Sequence, residues 1–227
     1  MATVGILCLS NGGNYTGQDP DFGPGIVDPR RYQVSPLFRQ IPGAWAKNVV
    51  AGDPSCEGEY VKGAKDLVRK GADAISCDCG FTVRYQQAIA RAVSVPVSTS
   101  SLLLLPTLLS SVPSSRKIAV ITADSRCLDA GIMAMLGIED TSRLVVEGLE
   151  ETATYNYMWA EDGEIDIKHV LSDVDRIISR IRRHEEIAAV LCECTILVRV
   201  SPRIRRATRL PVYDAFDNVS LLMAGVR

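Results

Sequence analysis

The chain has 227 residues, 47% of them hydrophobic, and 25 basic against 27 acidic side chains give a formal net charge of −2. That length suits one large domain or two small lobes, and the charge balance leaves no global field that would draw the chain to nucleic acid or a membrane. Seven cysteines, at 8, 56, 77, 79, 127, 192 and 194, are scattered without a secretory leader, which argues against a disulfide framework and for a reducing cytoplasm.

Thr3 to Leu9 is an aliphatic run of strand length, and Ser10-Asn11-Gly12-Gly13 makes the turn that follows it. The glycines that run on to Gly17 are followed by Gln18-Asp19 and not by Lys-Ser/Thr, so a nucleotide phosphate loop is rejected. Ser10 and Asn11 serve either as hydrogen-bonding partners of a small polar substrate or as caps of their own turn. Residues 18 to 56 contain six prolines with interleaved glycines, a loop-rich excursion with room for one strand, which shapes either the site or a subunit contact. Glu57 to Lys70 has helical periodicity, with Asp53 or Ser55 to cap its start and Gly71 to stop it.

Asp73 to Cys79 reads as a strand, Val83 to Val93 as a helix, and Val95-Pro96-Val97 as a short strand entering the hydroxyl cluster Ser98-Thr99-Ser100-Ser101. These hydroxyls either bind a carboxylate or cap the next helix, Leu102 to Val112. The run Leu102 to Leu109 holds Pro106 and is too short to span a bilayer. Lys117 to Thr122 is nearly continuously apolar, as a strand buried on both faces should be. Asp124 is expected to cap a helix through Leu136, closed by Gly137, and Arg143 to Val146 gives a further strand. Ile167 to Ile181 carries a strict helical stripe, with both histidines, His169 and His184, on its solvent side or just beyond it.

Ile187 to Val212 then repeats the layout of Asp73 to Val97 at a constant offset of 115 residues. Cys77 and Cys79 correspond to Cys192 and Cys194, Arg84 to Arg199, Ala92 to Ala207, Pro96 to Pro211 and Val97 to Val212. Such a repeat places a thiol beyond the carboxyl end of each of two strands, where α/β proteins bind ligands. A four-thiolate zinc site is disfavoured, because structural zinc pairs more often use Cys-x2-4-Cys on tight turns. Cys77 and Cys192 read as small buried apolar residues.

The Gly71-Ala72-Asp73-Ala74-Ile75 run into Cys79, and the aliphatic strand into Cys194-Thr195, resemble the cofactor-independent aspartate/glutamate racemase superfamily, which includes hydantoin racemases and arylmalonate decarboxylases. Gly80-Phe81 departs from the Asn-Thr of many members and matches a branch with a Cys-Gly-Phe motif. The resemblance implies an α/β fold of two flavodoxin-like lobes, with parallel sheets related by a pseudo-twofold axis and the site between them. Residues 1–100, completed by 208–227, would form the first lobe and 101–207 the second.

On this reading the chain is an isomerase, a racemase or epimerase of an amino acid or related small carboxylate. Cys79 and Cys194 exchange protons on opposite faces of one carbon, and no cofactor or metal takes part. Ser10, Asn11, Gly80, Phe81, Ser98, Thr99, Thr122 and Thr195 are the candidate substrate contacts. Each cysteine precedes a helix, whose N-terminus is expected to lower the thiol toward ionisation. Asp78 and Glu193 are expected to face away or to bond to neighbouring groups. The alternatives are a single-cysteine isomerase or decarboxylase of the same fold, or a non-catalytic thiol sensor. A small carboxylate and a second copy of the chain are the expected partners, with no nucleic acid or membrane.

Overall fold

The computed structural model describes residues 2–10, 13–161 and 163–226. The first half runs through β1 (Val4–Cys8), β2 (Asn14–Thr16), β3 (Leu37–Gln40), α1 (Ala46–Ala51), α2 (Ser55–Arg69) and β4 (Ala74–Cys77). A 3-10 turn at Gly80–Tyr85 leads to α3 (Gln86–Ala92) and α4 (Leu105–Ser111). The second half contains β5 (Lys117–Thr122), α5 (Ala130–Met135), β6 (Leu144–Gly148), α6 (Ala153–Trp159), β7 (Glu164–Asp166), α7 (Ile167–Ile181) and β8 (Ile187–Cys192). Another 3-10 turn, Thr195–Arg199, precedes α8 (Ser201–Thr208), β9 (Val212–Tyr213) and α9 (Ala215–Ala224).

All pairings among the described strands are parallel. The strand orders are β3-β1-β4, β6-β5-β8-β9 and the two-stranded β2-β7. β1 shows why its sequence is apolar without alternation. Leu7 joins the core beneath α2, while Val4 and Ile6 meet Ala215 and Val219 of α9 on the opposite face. A parallel strand covered on both faces has no polar side. β9 extends the second sheet beside β8, whereas α9 packs on the first.

The repeat read from sequence reappears in the hydrogen bonds. Ile75 N–H donates to Pro96 O at 2.9 Å, and Val190 N–H donates to Pro211 O at the same 2.9 Å. Ile75 bridges Val97, and Val190 pairs with Val212. Cys79 and Cys194 both stand as the N-terminal cap of their 3-10 turn.

Some local expectations change. Asp124 caps only Ser125–Cys127, and a second acid, Asp129, accepts from Ile132 N–H at 2.9 Å to start α5. In the cluster at 98–101, Ser100 is the cap, its hydroxyl accepting from Leu102 N–H at 3.1 Å. β2, β7, α1 and α6 have no periodic signature in the sequence, because elements of three to seven residues are too short to show one.

Candidate active site

The carboxyl ends of β4 and β8 converge on a cavity of about 200 Å³. Asp78 to Phe81 line it from one side and Glu193 to Ile196 from the other, so both cysteine turns face the same space. The turns also bind to each other, with the Thr195 hydroxyl donating to the Asp78 carbonyl oxygen. Cys79 and Cys194 both line the cavity and are each 8% exposed.

The electrostatics differ from the sequence expectation. Backbone N–H groups of Phe81 and Ile196 do favour the thiolates of Cys79 and Cys194. Burial works the other way and dominates, followed by the negative charge of Glu193, so both thiols are pushed well above the ordinary cysteine range. A short 3-10 turn brings one or two N–H groups and little dipole, too little to outweigh desolvation. Cys79 is also opposed by Asp78 and by Cys194 itself.

Of the two arrangements expected for the acidic neighbours, the structure has the bonds to neighbouring groups and not the outward orientation. Asp78 and Glu193 both line the cavity, and burial raises each to about 7. Asp78 Oδ1 accepts from Leu9 N–H at 2.8 Å. Glu193 Oε2 accepts from the Thr122 hydroxyl at 2.9 Å and from Ala123 N–H at 3.1 Å, while Oε1 is buried with no hydrogen-bond partner among the described residues.

The repeated arginines diverge. Arg84 is turned to the Cys127 carbonyl and the Asp129 carboxylate, each at 2.9 Å, outside the cavity lining. Arg199 lines the cavity, with its guanidinium 4.6 Å from the ring centre of Tyr15 and 5.3 Å from that of Phe22. It donates to Gly23 O at 3.1 Å and forms no salt bridge among the described residues. The facing wall is the end of α6, which presents Tyr157, Met158 and Trp159. Met158 Sδ lies 3.6 Å from Cys194 Sγ. Asp173 on α7 fixes this wall by accepting from Thr154 N–H at 3.0 Å and the Thr154 hydroxyl at 2.8 Å.

Of the substrate contacts expected from sequence, Gly80, Phe81 and Thr195 line the cavity, whereas Ser10, Ser98, Thr99 and Thr122 do not. Their hydroxyls are taken up by Ile41 O, Asn218 Oδ1, Thr82 O and Glu193 Oε2 respectively. Asn11 lies outside the described residues. Sequence reasoning missed Tyr15, the α6 wall and the inward-facing Glu193. The cluster Tyr155-Asn156-Tyr157-Met158-Trp159, in a chain only 6% aromatic, was the available signal.

No protein-family model matches the chain. Among solved structures it is similar to allantoin racemase from Klebsiella pneumoniae (TM-score 0.65, 12% identity, covering 99% of this chain and 88% of that one). Arylmalonate decarboxylase is similar too (TM-score 0.56, 17% identity, 100% and 94%), as is glutamate racemase from Aquifex pyrophilus (TM-score 0.56, 16% identity, 99% and 84%). These likenesses establish the fold of the aspartate/glutamate/hydantoin racemase superfamily. Sequence relatives carry a different chemistry in their names. Dimethylsulfoniopropionate lyase of Durusdinium sp. clade D is 31% identical over 223 residues, covering 89% of this chain and 70% of its own. Dimethylsulfoniopropionate lyase 6 of Emiliania huxleyi is 29% identical, covering 92% and 58%, and lyase 7 is 26% identical, covering 92% and 65%. The chain thus spans between about three fifths and seven tenths of these relatives. They overturn the isomerase class expected from the cysteine repeat, since a lyase breaks a bond where a racemase inverts a centre. With this identity over this share of both sequences, the chain belongs to the dimethylsulfoniopropionate lyase family.

Proposed function

We propose that this chain is a lyase that cleaves dimethylsulfoniopropionate, or a closely related sulfonio-carboxylate, by β-elimination. The observation that carries the reading is the content of one cavity: two buried thiols, one arginine without an ion pair among the described residues, and an aromatic wall. A sulfonio-carboxylate carries a carboxylate for a guanidinium to bind, an α-proton for a base, and a cation that aromatic faces attract by about 0.5–2 kcal/mol.

Arg199 holds the carboxylate and stabilises the enolate-like charge that grows on it. The Cys194 thiolate removes the α-proton, the C–H electron pair becomes the new C=C bond, and the C–S pair leaves with sulfur. The products are dimethyl sulfide, acrylate and one proton. The leaving group departs as a neutral sulfide, so no acid need protonate it and one thiol suffices. Cys194 takes the role because fewer negative groups oppose its ionisation than oppose that of Cys79. The sulfonium adds a second positive charge to that of Arg199, so the base becomes charged chiefly when substrate is bound. The single-cysteine chemistry held as an alternative from sequence is retained here, with cleavage in place of isomerisation.

The test is incubation of the protein with dimethylsulfoniopropionate, with headspace gas chromatography for dimethyl sulfide and proton NMR for vinyl signals. Both products should appear in equal amounts and be lost with Cys194→Ser. A folded protein that releases no sulfide, yet liberates carbon dioxide from a substituted malonate, would move the assignment to decarboxylation.

A further inference from the structure

The cavity holds a carboxylate that the elimination does not itself require. Glu193 is 1% exposed, yet it stands at the junction of the two cysteine turns and not at the surface. Oε2 is fixed by Thr122 and Ala123, which orients the group and leaves Oε1 with no protein donor among the described residues. Oε1 lies against Gly80, the residue after Cys79. A buried carboxylate oxygen with no partner is expensive unless it has a task. Of the charged groups in the site, Glu193 acts most strongly on both thiols.

We propose that Glu193 is the proton acceptor that ionises the base thiol and afterwards passes the proton to water, a role that rests on the lyase reading of this site. In the resting cavity the pair is thiol and carboxylate. When substrate binds, the sulfhydryl proton passes through one bridging water to Glu193 Oε1, which no thiol reaches directly, and the S–H electron pair stays on sulfur. The pair keeps one negative charge throughout, so forming the thiolate relocates a charge and creates none in a low-dielectric space. Elimination then returns the thiol to its protonated form, carrying the α-proton. Glu193 releases its own proton to water as product leaves, which accounts for the one proton produced per turnover.

The groups that face Glu193 support this choice. Asp78 is also buried and titrates near 7, but its influence reaches Cys79 and not Cys194. Asp124, beside the Ala123 amide that binds Glu193, is engaged by Arg126 at 2.6 Å and Tyr155 at 2.9 Å. Arg199 and Tyr157 line the same cavity, Arg199 from the turn that Cys194 caps. With Glu193 at about 7, the pair is competent only above that pH, so turnover should rise through about pH 7.

The test compares wild type with Glu193→Gln, which keeps the shape and the hydrogen bonds to Oε2 but cannot take a proton. We expect KM within about twofold, kcat at pH 7.5 lower by roughly 10²-fold, and the limb near pH 7 gone. Glu193→Asp should restore part of kcat and the limb. Thr122→Val removes one hydrogen bond to the carboxylate and should move the limb to higher pH, which a purely structural carboxylate would not do. A readout free of substrate follows alkylation of Cys79 and Cys194 by iodoacetamide with peptide mass spectrometry. Wild type should show a rise in rate between about pH 6 and 8 that is absent in Glu193→Gln. Wild-type kcat and an unshifted limb in Glu193→Gln, or loss of the limb in Asp78→Asn alone, would overturn the assignment. If the wild type fails to cleave the sulfonium substrate, the lyase reading falls, and the alkylation profile still decides whether Glu193 governs the thiols.

Discussion

Replacing Gly80 by alanine should damage both stability and turnover, and the structure states why. A Cβ at this position would lie 2.7 Å from the Glu193 carboxyl carbon and closer still to Oε1 and the Glu193 carbonyl oxygen. Ordinary contact begins near 3.4 Å, and neither neighbour can withdraw cheaply. The carbonyl oxygen belongs to the backbone, and the carboxyl is held by Thr122 and Ala123. The two cysteine turns must therefore separate by several tenths of an ångström or more. Overpacking of this kind costs about 1–3 kcal/mol, and a rigid neighbour on both counts places Gly80→Ala at the upper end. For a chain of this size about 3 kcal/mol lowers the melting temperature by roughly 6–12 °C. Gly58, exposed near the start of α2 with nothing within 4 Å of an added Cβ, is the control. Gly58→Ala should stabilise by about 0.5–1 kcal/mol through helix propensity. Calorimetric melting and urea unfolding of the two variants, with turnover measured in parallel, check the argument. A Gly80→Ala protein that melts with wild type and turns over at the wild-type rate would refute the close approach of the turns.

Arg199→Met should raise KM for the sulfonio-carboxylate by about 10- to 100-fold, the loss of a charge-assisted hydrogen bond, while leaving the fold intact by circular dichroism. Arg84→Met should leave KM unchanged and lower stability, since its guanidinium serves Cys127 and Asp129. In single-thiol elimination, Cys194→Ser should lose activity and Cys79→Ser should keep turnover within about tenfold, both read by sulfide release. Stability to urea should fall between about pH 5 and 7 and level off above. In that window folded Asp78 and Glu193 still hold protons that their unfolded forms, with values near 4, have released. The shift of Glu193 from 4.5 to about 7 corresponds to roughly 3 kcal/mol, so Glu193→Gln should flatten the slope. Acids held low, such as Asp28 at about 2, have finished their effect below this window. An unfolding midpoint that rises from pH 5 to 8 contradicts the burial of these two carboxyls.

What could be read in the sequence was whatever repeats along the chain. The apolar run at Lys117–Thr122 and the stripe at Ile167–Ile181 appear as the strand and helix their periods require. The offset that pairs Cys79 with Cys194 reappears as paired hydrogen bonds and brings the two turns to one cavity. What stayed hidden depends on direction in space. Nothing local distinguishes Arg199, turned to Tyr15, from Arg84, turned to Asp129, because each stands at the same place in its turn. Ser98 and Thr99 looked like ligands because hydroxyls at strand ends often are, yet Asn218 and Thr82 satisfy them from 120 and 17 residues away. The α6 wall was missed because seven residues spanning two turns give no reliable period, although Thr152 caps their start.

Why the cysteine repeat led to the wrong reaction class is itself a chemical point. A thiolate that removes a proton beside a carboxylate makes the same enolate-like intermediate whatever follows. If a second acid waits on the far face, the centre inverts. If the neighbouring carbon carries a group that leaves as a stable neutral molecule, the C–S bond breaks first. The two thiols report only the first step, which the racemases and lyases of this fold can hold in common. On the proposed reading the fate of the intermediate is set by the groups that would select the substrate, Arg199 and the wall of Tyr157, Met158 and Trp159. Carboxyls that could meet a substrate ammonium and a far thiol held protonated are both present, so neither separates a racemase from a lyase. The Cys79 thiol has Asp78 and Glu193 beside it, and the wall across the cavity is apolar and aromatic, suited to a poorly hydrated sulfonium. Exchanging Tyr157 and Trp159 for leucine should therefore weaken binding of the sulfonium far more than binding of a neutral thioether of the same shape. Competition of the two ligands, measured on wild type and on the double variant, would show it. Equal losses for both would mean that the wall contributes packing alone, and that the selection for a cation lies elsewhere in the cavity.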